Sequence, residues 1–210
     1  GPPLLWKSTG LGAGFSSVSA VGERLYTMGD VNGASSLLAL NAADGKLLWT
    51  AALGRAGGQR NAGTRSTPAS DGKVVVALGQ FGELVAVDAA TGKELWKKHL
   101  ERDFGGRMMS GWNWSESPLL DGDRVVVTPG GAQGSVLALK LADGGKLWQS
   151  GELKDEAGYA SLVPVEIDGT EGSAAQREES RPKGILRSGD FTDAGRHAVV
   201  APTRVTAVRA

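Results

Sequence analysis

Residues Ala86 to Trp96 read AVDAATGKELW, and the parsing of that stretch decides the fold. Ala86-Val87-Asp88 closes one β-strand and Thr91-Gly92 turns the chain, Gly92 being the residue best able to take a positive φ. Lys93 to Trp96 then opens the next strand, with Leu95 and Trp96 at its apolar end. The same pattern recurs at Ala39–Trp49, ALNAADGKLLW, and at Ala138–Trp148, ALKLADGGKLW. In every copy Gly stands six residues and Trp ten residues after Ala, and successive Trp residues are 47 and 52 apart. That period, with four short strands per unit, predicts an all-β chain: a β-propeller of four-stranded antiparallel blades.

Outward from the hairpins, the chain divides into units. Residues 1–14 read as the end of a preceding blade and a linker, because Leu4-Leu5-Trp6 lies 43 residues before Trp49. Blade 1 is assigned to 15–53, with strands over 15–20, 24–28 and 36–40 and a turn-rich break at 29–33. Blade 2 takes 54–100 and blade 3 takes 101–152. Their runs KVVVAL (73–78) and RVVVT (124–128) suit strands covered on both faces by stacked neighbours. Blade 4 begins over 153–170, and after Thr170 the pattern stops. Residues 171–210 hold six Arg and one Lys, against seven Arg and nine Lys before them, and no further signature. They are expected to form an aberrant tail of little order, disordered or frame-shifted.

The A-x-D-x-x-T-G-K-x-x-W unit resembles the repeat of the pyrroloquinoline quinone (PQQ)-like β-propeller family over roughly residues 4–170. That family takes in the quinoprotein alcohol dehydrogenases and the outer-membrane assembly lipoprotein of the BAM complex. The resemblance implies a parent of about eight blades, of which about three and a half are present. It implies a periplasmic or secreted, non-catalytic binding or scaffold module. The alternative it implies is part of a PQQ-dependent alcohol dehydrogenase, polyvinyl-alcohol-dehydrogenase-like. Enzymes of that kind lay the quinone on a Trp beside a Ca²⁺ held by Glu, Asn and Asp. Glu116, Asn113 and Asp103 are of the right types, whereas the vicinal Cys pair of many such enzymes has no counterpart in a chain without Cys. PQQ with Ca²⁺ is accordingly an expectation for the full-length parent alone. An incomplete ring leaves apolar sheet faces open, so missing blades of the parent or a second copy of the chain are expected to cover them.

The signature residues Ala39, Gly45, Trp49, Ala86, Gly92, Trp96, Ala138, Gly144 and Trp148 are read as structural. Each indole is expected to plate an interface between blades and donate its N–H to a neighbouring carbonyl, with the Ala leaving room for it. Asn41 and Asp88 are placed to bond the turn's amides, a role that Lys140 cannot fill.

Composition narrows the partners. With 23 basic and 23 acidic residues the formal charge is zero, which argues against nucleic acid. No apolar run is long enough to span a bilayer. Nucleophile-elbow, zinc-protease and phosphate-loop motifs are missing, and neither His99 nor His197 has a partner at metal-ligand spacing, so no catalytic or metal-binding residue is assigned.

Two inter-blade connections, 55–65 and 103–116, carry what chemistry there is. The first holds three Arg and no acid; the second reads DFGGRMMSGWNWSE. Arg65, Arg107, Trp112, Asn113, Trp114 and Glu116 are the candidate ligand-binding residues, a set able to stack on a flat ligand and bond its rim. The competing reading has the two Trp plugging the gap between blades. A protein or small ligand at these channel loops is the expected partner.

Overall fold

The computed structural model describes residues 3–57, 62–167, 170–176, 197–201 and 204–207, with side chains described as far as residue 164. Its strands form four four-stranded sheets, each in simple sequential order. Blade 1 is β1 (Ser19–Val21), β2 (Arg24–Val31), β3 (Ala34–Asn41) and β4 (Leu47–Arg55). Blade 2 is β5 (Ala69–Ser70), β6 (Val74–Leu78), β7 (Glu83–Asp88) and β8 (Glu94–His99). A one-turn helix, α1 (Leu100–Phe104), leads to blade 3: β9 (Leu119–Asp121), β10 (Arg124–Val127), β11 (Leu137–Lys140) and β12 (Lys146–Gln149). The fourth sheet is β13 (Leu162–Ile167), β14 (Thr170–Gln176), β15 (His197–Ala201) and β16 (Arg204–Ala207).

Pairing is antiparallel throughout blades 1 to 3, whereas β14 and β15 run parallel. Of the stretch beyond Thr170, the structure describes 171–176, 197–201 and 204–207, in β14, β15 and β16; its remaining residues lie outside the described ones. The first strands of successive sheets adjoin one another, which sets them around the propeller axis.

Alternation along each strand builds the interfaces. Val75, Ala77, Val85 and Val87 pack toward blade 1, against Tyr26, Met28, Leu37, Ala39 and Leu53. Their neighbours Val76, Leu78, Leu84 and Ala86 pack the other way, against Val125, Val127, Leu137 and Leu139 of blade 3. Blade 2 therefore has no wet face, which is why its second strand reads VVV.

The three signatures share one geometry. Ala39 pairs directly with Trp49, Ala86 with Trp96 and Ala138 with Trp148, and a bulge follows at the same place in each. The bulge leaves Leu48, Leu95 and Leu147 exposed on the rim while the Trp turns inward. Trp49 Nε1 donates to Ala89 O at 3.2 Å and Trp96 Nε1 to Leu141 O at 2.8 Å, each in the next blade's hairpin. Trp6 Nε1 makes the corresponding bond to Ala42 O of blade 1's hairpin, at 3.1 Å.

The conserved shape also explains the Gly, beyond its turn. Gly92 has φ +73° with Trp49 against its open side, and Gly144 has φ +68° with Trp96 there; a Cβ would fall 2.6 and 2.8 Å from those rings. Asn41 Oδ1 accepts from Ala43 N at 2.8 Å, and Asp88 Oδ1 from Thr91 N at 2.8 Å and Ala90 N at 3.1 Å. In the third hairpin, where Lys140 departs, Asp143 Oδ1 accepts from Gly145 N at 2.7 Å instead.

Two expectations are corrected. The break assigned to 29–33 shrinks to Asn32-Gly33, since β2 continues to Val31 and these two residues alone take positive φ, +51° and +81°. The far face of blade 1, expected to lie open, is not: Thr27, Leu38 and Leu40 are buried within the single chain. The segment from Trp6 runs along that face and reaches the other end of the blade, where Ala13 and Asp30 exchange backbone bonds of 3.1 and 2.7 Å.

Gly144→Ala is expected to lower unfolding stability by more than Gly122→Ala in urea denaturation. Both residues hold positive φ, +68° and +60°, at a backbone cost of roughly 1–2 kcal/mol, but only Gly144 has an indole against it. Equal losses would mean that the Trp contact contributes nothing.

Candidate functional site

Antiparallel topology gives each blade two unlike ends. The hairpins β1–β2 and β3–β4, with their counterparts in blades 2 and 3, occupy one end. The β2–β3 turns and every inter-blade connection occupy the other, and all six candidate residues fall in those connections.

The start of each first strand is repeated in register. Phe15, Arg65 and Ser115 stand seven residues before Gly22, Gly72 and Gly122 of the first turns. Two positions further on, hydroxyls link the blades: Ser117 Oγ accepts from Thr67 N at 2.9 Å, and Ser161 Oγ from Ser117 N at 2.8 Å. This ladder holds the connection end of the inner strands together.

The Arg65 guanidinium lies 5.6 Å from the Phe15 ring centre and 5.7 Å from that of Trp112, within reach of cation–π attraction. Its Nη1 also donates to Gly63 O at 3.4 Å. Phe15 and Trp112 remain 61 % and 54 % exposed, so both rings present a face to solvent. Phe15, Arg65 and Trp112, from three segments distant in sequence, thus converge on one aromatic and cationic cluster. A separate pair at the same end of the blades has Arg55 3.5 Å over the Phe81 ring.

The other candidates separate from it. Trp114 is 6 % exposed, packs in the core between blades 2 and 3, and lies against Gly82, so it plugs the interface as the competing reading had it. Its Nε1 is buried and has no hydrogen-bond partner among the described residues. Asn113 takes φ +64°, the turn that sends Trp112 outward and Trp114 inward. Arg107 faces the next connection, where its Nε meets Glu156 Oε1 at 2.8 Å. Beside it, Ser110 Oγ and Tyr159 Oη share a hydrogen bond.

Glu116 is fully buried. Its Oε1 accepts from Thr128 N and its Oε2 from Thr128 Oγ1, both at 2.6 Å. Blade 1 has a simpler version at the same register, where Ser16 Oγ accepts from Met28 N at 3.2 Å. The carboxyl therefore ties the start of β9 to the end of β10. Burial pushes its pKa from 4.5 to about 7, against the opposing pull of the two Thr128 bonds.

The calcium set suggested by residue type does not fit. Glu116 commits both oxygens to Thr128, and Asp103 Oδ2 accepts from His99 N at 2.7 Å as part of the cap of α1. Among the described residues no group of three or more His, Cys, Asp or Glu is placed to hold a metal ion. Nor is any described helix long and apolar enough to cross a membrane.

Sequence reasoning missed Phe15 and the Arg55–Phe81 pair. Phe15 had a signal in its register with Arg65; Phe81 sits in a short turn with no pattern to mark it. The helix α1 was missed as well, although Leu100 and Phe104, the two buried residues of LERDF, have helical spacing and Gly105 ends it at φ +65°.

Against known proteins, residues 33–184 match the family described as outer membrane protein assembly factor BamB, a span that runs past Thr170. No curated protein matches. Among solved structures, BamB from Moraxella catarrhalis aligns with a TM-score of 0.53 and 21% identity, over 81% of this chain and 46% of that one. The computationally designed Ika4 protein aligns with a TM-score of 0.52 and 14% identity, over 83% of this chain and 92% of that one. A quinohemoprotein alcohol dehydrogenase from Pseudomonas putida HK5 gives a TM-score of 0.48 and 22% identity, over 70% of this chain and 22% of that one. The chain spans under half the length of the Moraxella catarrhalis protein.

The Glu116 carboxyl links stability to pH. In the folded chain it keeps its proton up to about 7, and in the unfolded chain only to its ordinary 4.5. The folded state binds more protons between those values, so the stabilisation present below 4.5 is lost as pH rises to about 7. The loss is on the order of 3 kcal/mol. Glu116→Gln, whose amide can still accept from Thr128 N and donate to Oγ1, is expected to flatten that slope in urea unfolding across the window. An unchanged slope would show that Glu116 does not carry it.

Proposed function

Because the chain belongs to the outer membrane protein assembly factor BamB family, we propose that it is a non-catalytic, extracytoplasmic binding module that engages its partner through the connection end of the blades. The family description supports a place outside the cytoplasm. The observation that carries the binding reading is the Phe15–Arg65–Trp112 cluster, in which two large rings stay exposed around a cation instead of packing into a blade interface. Exposed aromatics beside Arg are typical of surfaces that bind rather than of surfaces that merely face water.

The opposite end has a different character. It is built of near-identical hairpins whose polar groups are taken up by their own turns, such as Asp88 by Ala90 and Thr91 and Asp71 by Lys73 and Val74. A scaffold of this kind separates tasks: the hairpin end and the blade interfaces hold the fold, and the connections vary around the axis. Arg65 and Trp112 are the residues assigned to ligand contact, with Phe15 added to them. Asn113 positions Trp112, and Glu116 braces the connection that carries both.

The reading is tested with ligands that raise the unfolding temperature of the chain. Trp112→Ala is expected to weaken such a ligand by about tenfold or more, and Leu95→Ala, on the outer strand β8, to leave it unchanged. The reverse pattern would move binding to the rim. Dye-linked oxidation of alcohols sustained by PQQ and Ca²⁺ would replace the non-catalytic reading with that of a dehydrogenase.

A further inference from the structure

The interface between blades 1 and 2 changes character along its length. Its apolar part includes Met28 of β2, Leu37 of β3, Ala77 of β6 and Val85 of β7. Side chains alternate along a strand, so the next residues on those same faces, toward the connection end, are Asp30, Ser35, Gly79 and Glu83. Asp30, Ser35 and Gly54 pair directly across β2, β3 and β4, which sets them in one row on the face of blade 1 that meets blade 2.

Glu83 reaches from blade 2 into that row. Its carboxylate takes up the space that a Cβ at Gly54 would need, and its Oε2 lies 2.7 Å from where a Cβ at Gly79 would fall. The Gln80 amide sits in the same way on Gly57, with Nε2 and Oε1 2.6 and 2.8 Å from that position. Gly57 N in turn donates to Asp30 Oδ2 at 2.6 Å. Two carboxylates, a hydroxyl and an amide, drawn from both blades, therefore gather along the strip from Gly54 to Gly57.

Their bonding capacity is left over. Asp30 Oδ1, Ser35 Oγ and Gln80 Nε2 are buried with no hydrogen-bond partner among the described residues, and Ser35 and Gln80 are each 2% exposed. Neither carboxylate forms an ion pair among the described residues. Lys97, which pairs with Val85 on the same face, directs its Nζ to Leu53 O at 2.5 Å. Buried polar atoms are ordinarily bonded, and like charges brought together from two blades repel unless an opposite charge lies with them. Mixed oxygen donors, two of them charged, suit a hard cation of flexible coordination, and the partly exposed Asp30 and Glu83 leave it a way in. Gln80 can turn its amide to offer Oε1, since Nε2 has no bond to lose. We propose that Asp30, Ser35, Gln80 and Glu83 form a calcium site that fastens blade 1 to blade 2 at the connection end, with water completing the coordination. The site stands apart from the reading of the chain as a binding module and does not depend on it.

The test is calorimetric titration of CaCl₂ into the full chain after dialysis against EDTA, with the unfolding temperature followed alongside. Ca²⁺ is expected to bind saturably, one ion per chain, and to raise the unfolding temperature as its concentration grows. Mg²⁺, which demands an octahedron and gives up its waters reluctantly, is expected to bind about tenfold more weakly or worse. Asp30→Asn, which still accepts from Gly57 N, and Glu83→Gln are each expected to weaken Ca²⁺ by about tenfold or more, and Ser35→Ala by less. Asp123→Asn, at the opposite end of the blades, is expected to leave binding unchanged. In EDTA, Glu83→Gln is expected to unfold no lower than the parent chain, because it removes one of two like charges.

No saturable heat with Ca²⁺, or binding that ignores both Asp30→Asn and Glu83→Gln, would overturn the site. Mg²⁺ bound as tightly as Ca²⁺ would overturn the choice of ion. A drop in unfolding temperature that is the same in Ca²⁺ and in EDTA for both carboxylate variants would assign these residues to the fold alone. Circular dichroism of each variant checks that the blades are intact, and Ser35→Ala, which alters no charge, keeps the test standing if a carboxylate variant disturbs them.

Discussion

The contact on which the rest depends is an indole lying on the next blade's hairpin, with its N–H on that hairpin's carbonyl. Trp6 reaches Ala42, Trp49 reaches Ala89, and Trp96 reaches Leu141. A single blade cannot bury both of its faces, so each must borrow a neighbour, and the Trp fixes where the neighbour sits. The Gly beneath the ring supplies both a left-handed turn and the absence of a Cβ, two demands met by one residue. Asp88 or Asn41 then stiffens the turn that presents that Gly.

With the hairpin end so constrained, the connections are free to differ. The link from blade 1 to blade 2 carries arginines, the next one a short helix and two tryptophans, and these differences gather at one end of the propeller axis. Hydroxyls of Ser117 and Ser161 stitch the inner strands beneath them, so the variable segments stand on a fixed base. A surface assembled in this way is rigid at its root and adaptable at its tip, as suits a module that recognises a partner.

Glu116 shows how the two roles meet. A serine suffices at that register in blade 1, whereas blade 3 places a buried carboxyl there with a threonine to receive it. Burial disfavours its charged form, and the bonds from Thr128 only partly compensate. The connection carrying Trp112 is thereby anchored by a group whose ionisation lies near neutrality.

Residue periodicity alone determined the all-β character, the four-stranded repeat, the inward Trp, the Ala opposite it and the Asx-braced turn. These follow from local rules: alternation, turn chemistry and a fixed spacing repeated three times. Which loop residues meet was decided only by tertiary structure. Phe15, Arg65 and Trp112 are brought together by the stacking of separate blades, and no spacing along the chain encodes a distance across the axis. The same holds for the two tryptophans of NWS and its flank. Trp112 and Trp114 are alike in sequence, and the left-handed Asn113 between them, with Gly82 of another blade leaving room for one ring, sends Trp114 into the core and Trp112 to the surface.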